Sequence, residues 1–147
     1  MRAATLIALA AALVGLTGCG GGPKYAAVSG RVTLNNQPLE GVSVDFQPVA
    51  GAKDGDPGPG STGKTDKDGR YTLRSQLDPS RAGAVVGRHQ VRVWAPEGAQ
   101  DADADGSRKG KKGGRPVIPG RYHVNSELTF DVPPGGTDNA DFDLKYP

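Results

Sequence analysis

Apolar and polar residues alternate with a period of two through most of the sequence after residue 27, and segments rich in glycine and proline interrupt this alternation. The 147 residues include 23 Gly and 12 Pro, and no segment after the first 18 residues has the spacing of an amphipathic helix. Alternation with period two places one set of side chains on a buried face, so the pattern predicts short, half-buried strands joined by turns. One domain is expected at this length.

About seven such strands can be read from the sequence. We predict a hairpin between residues 28–34 and 42–46, a polar strand at 62–65, and further strands near 71–73, 84–94, 128–132 and 140–144. The side chains expected to face the core are Val28, Gly30, Val32 and Leu34; Val42, Val44 and Phe46; Tyr71 and Leu73; His89, Val91 and Val93; Leu128, Phe130 and Val132; and Ala140, Phe142 and Leu144. Seven short strands joined by turns predict a seven-stranded antiparallel β-sandwich over residues 26–147.

The N-terminal segment, MRAATLIALAAALVGLTGCGGG, is typical of an export signal. Arg2 precedes an apolar run from Ala3 to Leu16, and this run is shorter than the roughly 20 residues that a permanent membrane-spanning helix requires. We therefore interpret residues 1–18 as a signal peptide. Leu16, Thr17, Gly18 and Cys19 resemble the lipobox of bacterial lipoproteins, and the resemblance implies cleavage before Cys19 and acylation of that residue.

Cys19 is the single cysteine of the chain, so it has no partner for an internal disulfide. An alternative interpretation is an ordinary small residue near a cleavage site. More than one acyl chain gives stable attachment to a membrane, and residues 19–25 would then form the lipidated Cys and a flexible tether. Gly20 and Gly21 carry no acidic retention signal, which favours the outer membrane over the inner membrane.

The stretch GPGSTGKT, Gly58 to Thr65, fits the phosphate-binding pattern G-x-x-x-x-G-K-[ST]. A working phosphate loop requires a buried strand before it and a helix after it. Asp66, Asp68 and Gly69 instead indicate a turn, and Pro59 stands where a backbone N–H would be required. We therefore predict no nucleotide site.

The stretch DADADG, residues 101–106, reproduces the first half of a calcium-binding loop. The twelfth position of such a loop requires a bidentate Glu and is here Lys112, and no helix is predicted on either side. We interpret residues 96–115, approximately, as a low-complexity linker. Weak calcium capture by the aspartates from Asp101 to Asp105 stays open as an alternative.

The charges and the histidines point to no catalytic chemistry. The 18 basic and 16 acidic residues leave a formal charge of +2, which indicates neither a nucleic acid nor an acidic partner. His89 is expected to be a half-buried strand residue, and His123 a loop residue with local hydrogen bonds. No spacing typical of a catalytic triad or a metal site stands out, so we predict no enzyme activity, cofactor or metal.

The segment TDKDGRYTL, Thr65 to Leu73, together with VSGRVTLNNQPLEGVSVDF and GRHQVRVW, resembles the carboxypeptidase regulatory-like, or transthyretin-like, domain. The resemblance covers roughly Val28 to Trp94, and the C-terminal segment resembles small bacterial lipoproteins that carry this domain alone. It implies a non-catalytic module that assists folding or mediates contacts. The motif predicts a tight hairpin that pairs the strand at 62–65 with the strand at 71–73. In its turn, Asp66 and Asp68 should bond backbone N–H groups, and Gly69 should take the left-handed position.

We therefore expect a membrane-anchored, non-enzymatic envelope lipoprotein that contacts another envelope protein. The alternative is a carbohydrate-binding surface module, because related sandwiches bind glycans on exposed aromatic side chains. Trp94, with Tyr122 or Tyr25, would supply those contacts. A small hydrolase or metalloenzyme is a third reading, for which the required residues are missing.

Overall fold

A computed structural model describes residues 22–49, 57–95 and 118–146 of the chain. The described residues form eleven strands, several of them only two residues long, and one turn of 3₁₀ helix at Gly120–Tyr122. The strands are β1 (Tyr25–Ala26), β2 (Ser29–Leu34), β3 (Gln37–Pro38), β4 (Ser43–Pro48), β5 (Ser61–Lys64), β6 (Arg70–Thr72), β7 (Arg74–Ser75), β8 (Ala84–Val85), β9 (Gly87–Trp94), β10 (Thr129–Val132) and β11 (Phe142–Leu144). The prediction of an all-β fold is confirmed.

Most of these strands belong to two sheets. The five-stranded sheet has the order β10, β9, β4, β5, β7. The second sheet, here called the β2 sheet, is built around β2, which pairs with β11, β3 and β6. A separate short ladder joins β1 to β8. All of these pairings are antiparallel except that of β2 with β11, which is parallel.

Aromatic side chains join the two sheets across the core. The ring of Phe46, on β4, contacts that of Phe142, on β11, with centroids 6.1 Å apart and an edge-to-face angle. Phe130, on β10, lies 5.8 Å from Phe46 and 6.2 Å from Phe142. Edge-to-face pairs of this kind contribute about 0.5–1.5 kcal/mol beyond the burial of the rings. The two sheets therefore pack face to face, as in a β-sandwich.

The predicted core faces agree closely with the structure. Val32, Val44, Phe46, Val91 and Val93 are fully buried, and the other members of the predicted set are also buried except two. Leu128 and Phe130 are only half-buried, although they pack against the core. Alternation with period two is a local property of a strand, so it identifies the inward face without knowledge of the partner strand.

The predicted hairpin between residues 28–34 and 42–46 is wrong. Asn35 and Asn36 both have positive φ, 49° and 65°, and they form a two-residue turn that folds β3 back on β2. This turn is the primed type that matches the twist of a hairpin. The chain then crosses the core, and β4 joins the other sheet between β5 and β9.

A second predicted pairing needs correction at the TDKDGRYTL motif. The strand after the turn, β6, pairs with β2 rather than with β5. The return to β5 is made by β7, through Ser61 opposite Ser75 and Thr62 opposite Arg74. The chain therefore passes from β5 in one sheet to β6 in the other through the five residues 65–69.

An irregular crossing, residues 118–128, closes one side of the sandwich. Ile118 is buried in the core. The Tyr122 hydroxyl donates to the Lys145 carbonyl and accepts from the Lys145 N–H, both at 3.0 Å. The Ser126 hydroxyl donates to the Val91 carbonyl on β9. The crossing thus joins the end of β11 to β9.

Candidate functional site

The residues predicted to carry the lipid, Cys19, and to guide its processing, Leu16, Thr17 and Gly18, lie outside the described residues. The described chain begins at Gly22, three positions after Cys19. From Lys24 onward the backbone is paired, because the Lys24 carbonyl accepts a hydrogen bond of 2.8 Å from the Val86 N–H. The candidate attachment site is therefore separated from the paired backbone by only four residues.

The turn from Asp66 to Gly69 is built as the motif predicts. The Asp66 carboxylate accepts the backbone N–H groups of Asp68, at 2.8 Å, and Arg70, at 2.9 Å. These bonds, above all that from Arg70, hold the pKa of Asp66 below its ordinary value. Gly69 has a φ of +74°, which confirms the left-handed position.

The Asp68 side chain was predicted to bond a backbone N–H group. In the structure, Asp68 contributes to the turn through its own backbone instead. Its N–H donates to Asp66, and its carbonyl accepts a hydrogen bond of 2.7 Å from Arg31 Nε. Arg31 lies on β2, and its own N–H donates to the Asp141 carboxylate at 2.7 Å. The turn is therefore held to the β2 sheet by a side chain that the sequence motif does not include.

An open cleft of about 790 Å³ lies beside this turn. Its charged lining consists of three cations and three carboxylates, namely Arg31, Lys64, Arg70, Asp66, Asp138 and Asp141. Two of the carboxylates, Asp66 and Asp141, already accept backbone N–H groups. The opposite charges offset one another, so the cleft presents no strong field to an anion or to a cation.

The three aromatic residues proposed as glycan contacts have different surroundings. Trp94 lies on the outer face of the five-stranded sheet and is half-buried, and its ring packs on His123 with centroids 5.3 Å apart. Tyr122 is held by Lys145 as described, and the Arg121 guanidinium lies 4.9 Å from its ring centre. Tyr25 is on the far side of the molecule, where it pairs with β8.

His89 is more deeply placed than predicted. The side chain is fully buried, its Nδ1 lies 2.9 Å from the Gly87 carbonyl, and its ring packs 5.6 Å from that of Phe46. Burial opposes the charged imidazolium and holds the pKa of His89 below its ordinary value. The sequence signal for this burial is the period-two spacing of His89 with Val91 and Val93, which places the three side chains on one face of the strand.

His123 is also buried, and its expected local hydrogen bonds are not found among the described residues. Only 6% of the residue is exposed, and neither ring nitrogen has a hydrogen-bond partner within the described part of the chain. Its role there is packing beneath Trp94. The two histidines therefore lie in different environments, one in the core and one in the crossing.

Among residues 22–49, 57–95 and 118–146, no group of three or more His, Cys, Asp or Glu side chains is arranged to hold a metal ion. The aspartates from Asp101 to Asp105 lie outside these ranges. Within the same ranges, no helix has the length and apolar character needed to cross a bilayer.

Sequence reasoning did not predict the exposed position of Leu77. Leu77 is 81% exposed in the loop between β7 and β8, and Arg81 of the same loop lies against the ring of Tyr25, on β1. The sequence signal is a single leucine within the polar turn segment RSQLDPS. Its nearness to the tether depends on the pairing of β1 with β8, which has no local signature.

No protein-family model matches this chain, and comparison with curated proteins and with solved structures gives no significant match.

Proposed function

We propose that this chain is an exported lipoprotein, anchored through acyl groups on Cys19, whose β-sandwich is a non-enzymatic binding or structural module of the cell envelope. The main support for the proposal is that the lipobox-like LTGC lies only a few residues before the first paired backbone group of the fold. Backbone pairing begins at Lys24, so an acylated Cys19 would lie within a few residues of the body of the protein. The absence of acidic residues at positions 20 and 21 favours the outer membrane.

The finer fold assignment, a seven-stranded transthyretin-like or carboxypeptidase regulatory-like domain, is part of this proposal. The motif Thr65–Leu73 supports it, since Asp66 caps the turn, Gly69 has positive φ, and Tyr71 and Leu73 are buried. Such modules contribute contacts rather than chemistry. The partner would be another envelope protein.

The placement of the histidines supports a non-enzymatic role. A general base must reach a substrate, and its pKa should lie near the working pH. The His89 ring is enclosed by the core, and the His123 ring is covered by Trp94. Both side chains therefore serve packing, and we propose no cofactor, nucleotide or nucleic acid as a ligand.

Carbohydrate binding is the alternative function, and the position of Trp94 favours it. An indole on an outward face of a sheet can stack on a sugar ring, and Trp94 is on such a face and partly exposed. A glycan array with wild type and Trp94→Ala separates the two functions. Glycan binding that is lost in Trp94→Ala would support the alternative.

Metabolic labelling with an alkyne analogue of palmitate tests the anchoring. We expect wild type to incorporate the label and to remain with the membrane fraction, whereas Cys19→Ala should incorporate none and stay uncleaved or become soluble. Gly22→Ala is the matched control, because its added methyl group meets no described atom within 4 Å and Cys19 is retained. Equal labelling of wild type and Cys19→Ala would overturn the lipoprotein proposal.

The envelope partner can be sought with the anchored protein itself. Crosslinking in intact cells, followed by purification through a C-terminal tag, should recover a defined envelope protein with wild type. A reproducible partner would support a binding module, and recovery of polysaccharide alone would favour the glycan alternative.

A further inference from the structure

One end of the sandwich contains the start of the described chain and several loops, and we call it the tether end. It comprises residues 22–24, Val49, the loop 76–83 and residues 84–88. The Lys24 carbonyl accepts from the Val86 N–H at 2.8 Å, and the Val49 N–H donates to the Arg88 carbonyl at 2.9 Å. These two bonds connect Lys24, near the start of the described chain, to the end of β4. The segment 86–88, at the beginning of β9, makes both bonds.

The loop 76–83 is connected to the same end. The Gln76 side-chain oxygen accepts a hydrogen bond of 3.3 Å from Gln47, near the end of β4, and the Gln76 N–H donates to the Gly60 carbonyl at 2.9 Å. Farther along the loop, the Gly83 N–H donates to the Leu73 carbonyl at 2.7 Å. The loop therefore packs beside the tether rather than at the opposite end.

Chain length limits how far the tether end can lie from a lipid on Cys19. Pro23 lies against Gly58, since a Cβ built on Gly58 would be 3.3 Å from the Pro23 Cβ. The four residues from Cys19 to Pro23 span at most about 14 Å when fully extended, at roughly 3.6 Å per residue. An acylated Cys19 would therefore keep Pro23, at the tether end, within about 14 Å of the residue that carries the lipid.

This end exposes apolar side chains to the surroundings. Leu77 is 81% exposed and Val49 is 49% exposed, and they are two of the four large hydrophobic residues that the described chain exposes. The loop that carries Leu77 is braced, because the Asp78 carboxylate accepts the Ser80 N–H and hydroxyl, at 3.1 and 2.6 Å. The exposed leucine is thus presented on a fixed turn.

The tether end also carries cationic side chains. Arg81 lies 4.7 Å from the ring centre of Tyr25, on β1, and Lys24 directly precedes that strand. The Arg88 side chain is 66% exposed, and its guanidinium lies 3.6 Å from the Asp131 carboxylate. Basic side chains next to exposed apolar residues suit the boundary between anionic headgroups and acyl chains.

We propose that the tether end is the face with which the anchored protein lies on the bilayer, with Leu77 and Val49 entering the interfacial layer and Lys24 and Arg81 facing anionic lipid headgroups. The inference rests on the proposed attachment at Cys19. It adds an orientation: the opposite end, with Trp94 and the crossing, points away from the membrane toward a partner.

Fluorescence of the full-length, acylated protein in vesicles tests this orientation. An environment-sensitive thiol probe is placed at Leu77→Cys or, as the matched control, at Val124→Cys, which is 62% exposed at the opposite end. Both sites are exposed, so the folded structure should tolerate the label. The vesicles contain phosphatidylethanolamine and phosphatidylglycerol, with brominated acyl chains in a parallel sample.

We expect the probe at position 77 to be quenched by brominated lipid and protected several-fold from aqueous iodide, and the probe at 124 to show the reverse. Replacing phosphatidylglycerol with phosphatidylcholine should reduce the protection at 77. Equal iodide quenching at both positions would overturn the proposed orientation, and protection independent of phosphatidylglycerol would overturn the attraction of Lys24 and Arg81 to anionic headgroups.

Mass spectrometry of the N-terminal peptide from the same samples separates the two proposals. Acylated Cys19 with equal quenching means that the orientation is wrong while the anchor is right. An unmodified Cys19 overturns the lipoprotein proposal and the orientation with it.

Discussion

The Tyr71 hydroxyl donates a hydrogen bond of 2.6 Å to the carbonyl of Ala140, a residue 69 positions later in the chain. Tyr71 belongs to the TDKDGRYTL motif, and Ala140 precedes the last strand, β11. Both residues are buried, and burial raises the pKa of Tyr71, so the phenol stays protonated and remains a donor. This bond ties the motif to the strand that completes the β2 sheet.

Tyr71→Phe should therefore destabilise the fold by about 1–3 kcal/mol, the usual cost of leaving a buried carbonyl without its partner. Urea denaturation measures the change. The control is Tyr25→Phe, because the Tyr25 hydroxyl is only partly buried, 3.3 Å from the Ser75 hydroxyl, and water can replace that contact. Equal midpoints for the two variants would show that the bond to Ala140 contributes nothing specific.

Gly69→Ala should destabilise the fold for two reasons. The residue has a φ of +74°, and an added Cβ would lie 2.5 Å from the Val32 carbonyl oxygen. A residue other than glycine in such a region costs about 1–3 kcal/mol, and the contact adds to that cost.

Gly135→Ala is the matched control for this substitution, since its added Cβ meets no described atom within 4 Å and its φ is not in the left-handed region. We expect a change within about 0.5 kcal/mol, as for other surface positions. Similar thermal midpoints for the two glycine variants would contradict the role assigned to the turn.

Thr65 and Lys64, which complete the phosphate-loop pattern, should respond differently to substitution. The Thr65 hydroxyl accepts the Val42 N–H at 3.0 Å, and the residue is buried. Thr65→Val should cost about 1–3 kcal/mol, because the Val42 N–H loses this acceptor. Lys64→Ala should change stability little, since Lys64 is exposed at the end of β5.

We expect no ATP or GTP binding by wild type or by either variant in titration calorimetry. Micromolar binding that disappears in Lys64→Ala would mean that the pattern is a working nucleotide site after all.

Stability should fall as the pH is lowered through the range in which His89 titrates. Burial lowers the pKa of His89 below 6.5, with the Gly87 carbonyl and the Asp131 charge opposing that shift. The unfolded chain therefore binds a proton near pH 6.5 while the folded chain does not, and linkage makes the folded state less stable as pH falls below that value. Above it, this contribution is fully present.

Urea midpoints at pH 7.5 and pH 5 measure this effect, with His89→Phe as the comparison because it keeps an aromatic ring in the core. The variant should lose most of the dependence over this range. The Asp143 carboxyl does not interfere, since hydrogen bonds from Lys145 and Thr33 lower its pKa to about 2. Identical pH profiles for wild type and variant would exclude His89 as the titrating group.

The sequence by itself determined the strand faces and the chemistry of the turn. Val44, Phe46, Val91 and Val93 could be assigned to the core because alternation along a strand is local. The positive φ of Gly69 and the capping role of Asp66 were predictable for the same reason, since both depend on neighbours within a few residues. The burial of His89 was underestimated, although its register with Val91 was visible.

Strand partners were decided only by the tertiary structure. Strands β2 and β4 lie in different sheets, and β6 pairs with β2 instead of β5, because pairing depends on which faces meet across the core rather than on order along the chain. The bond from Tyr71 to Ala140 and the position of Leu77 beside the tether have the same origin. Each joins segments that are distant in sequence, and contacts of that kind produce no local pattern in the sequence from which they could be predicted.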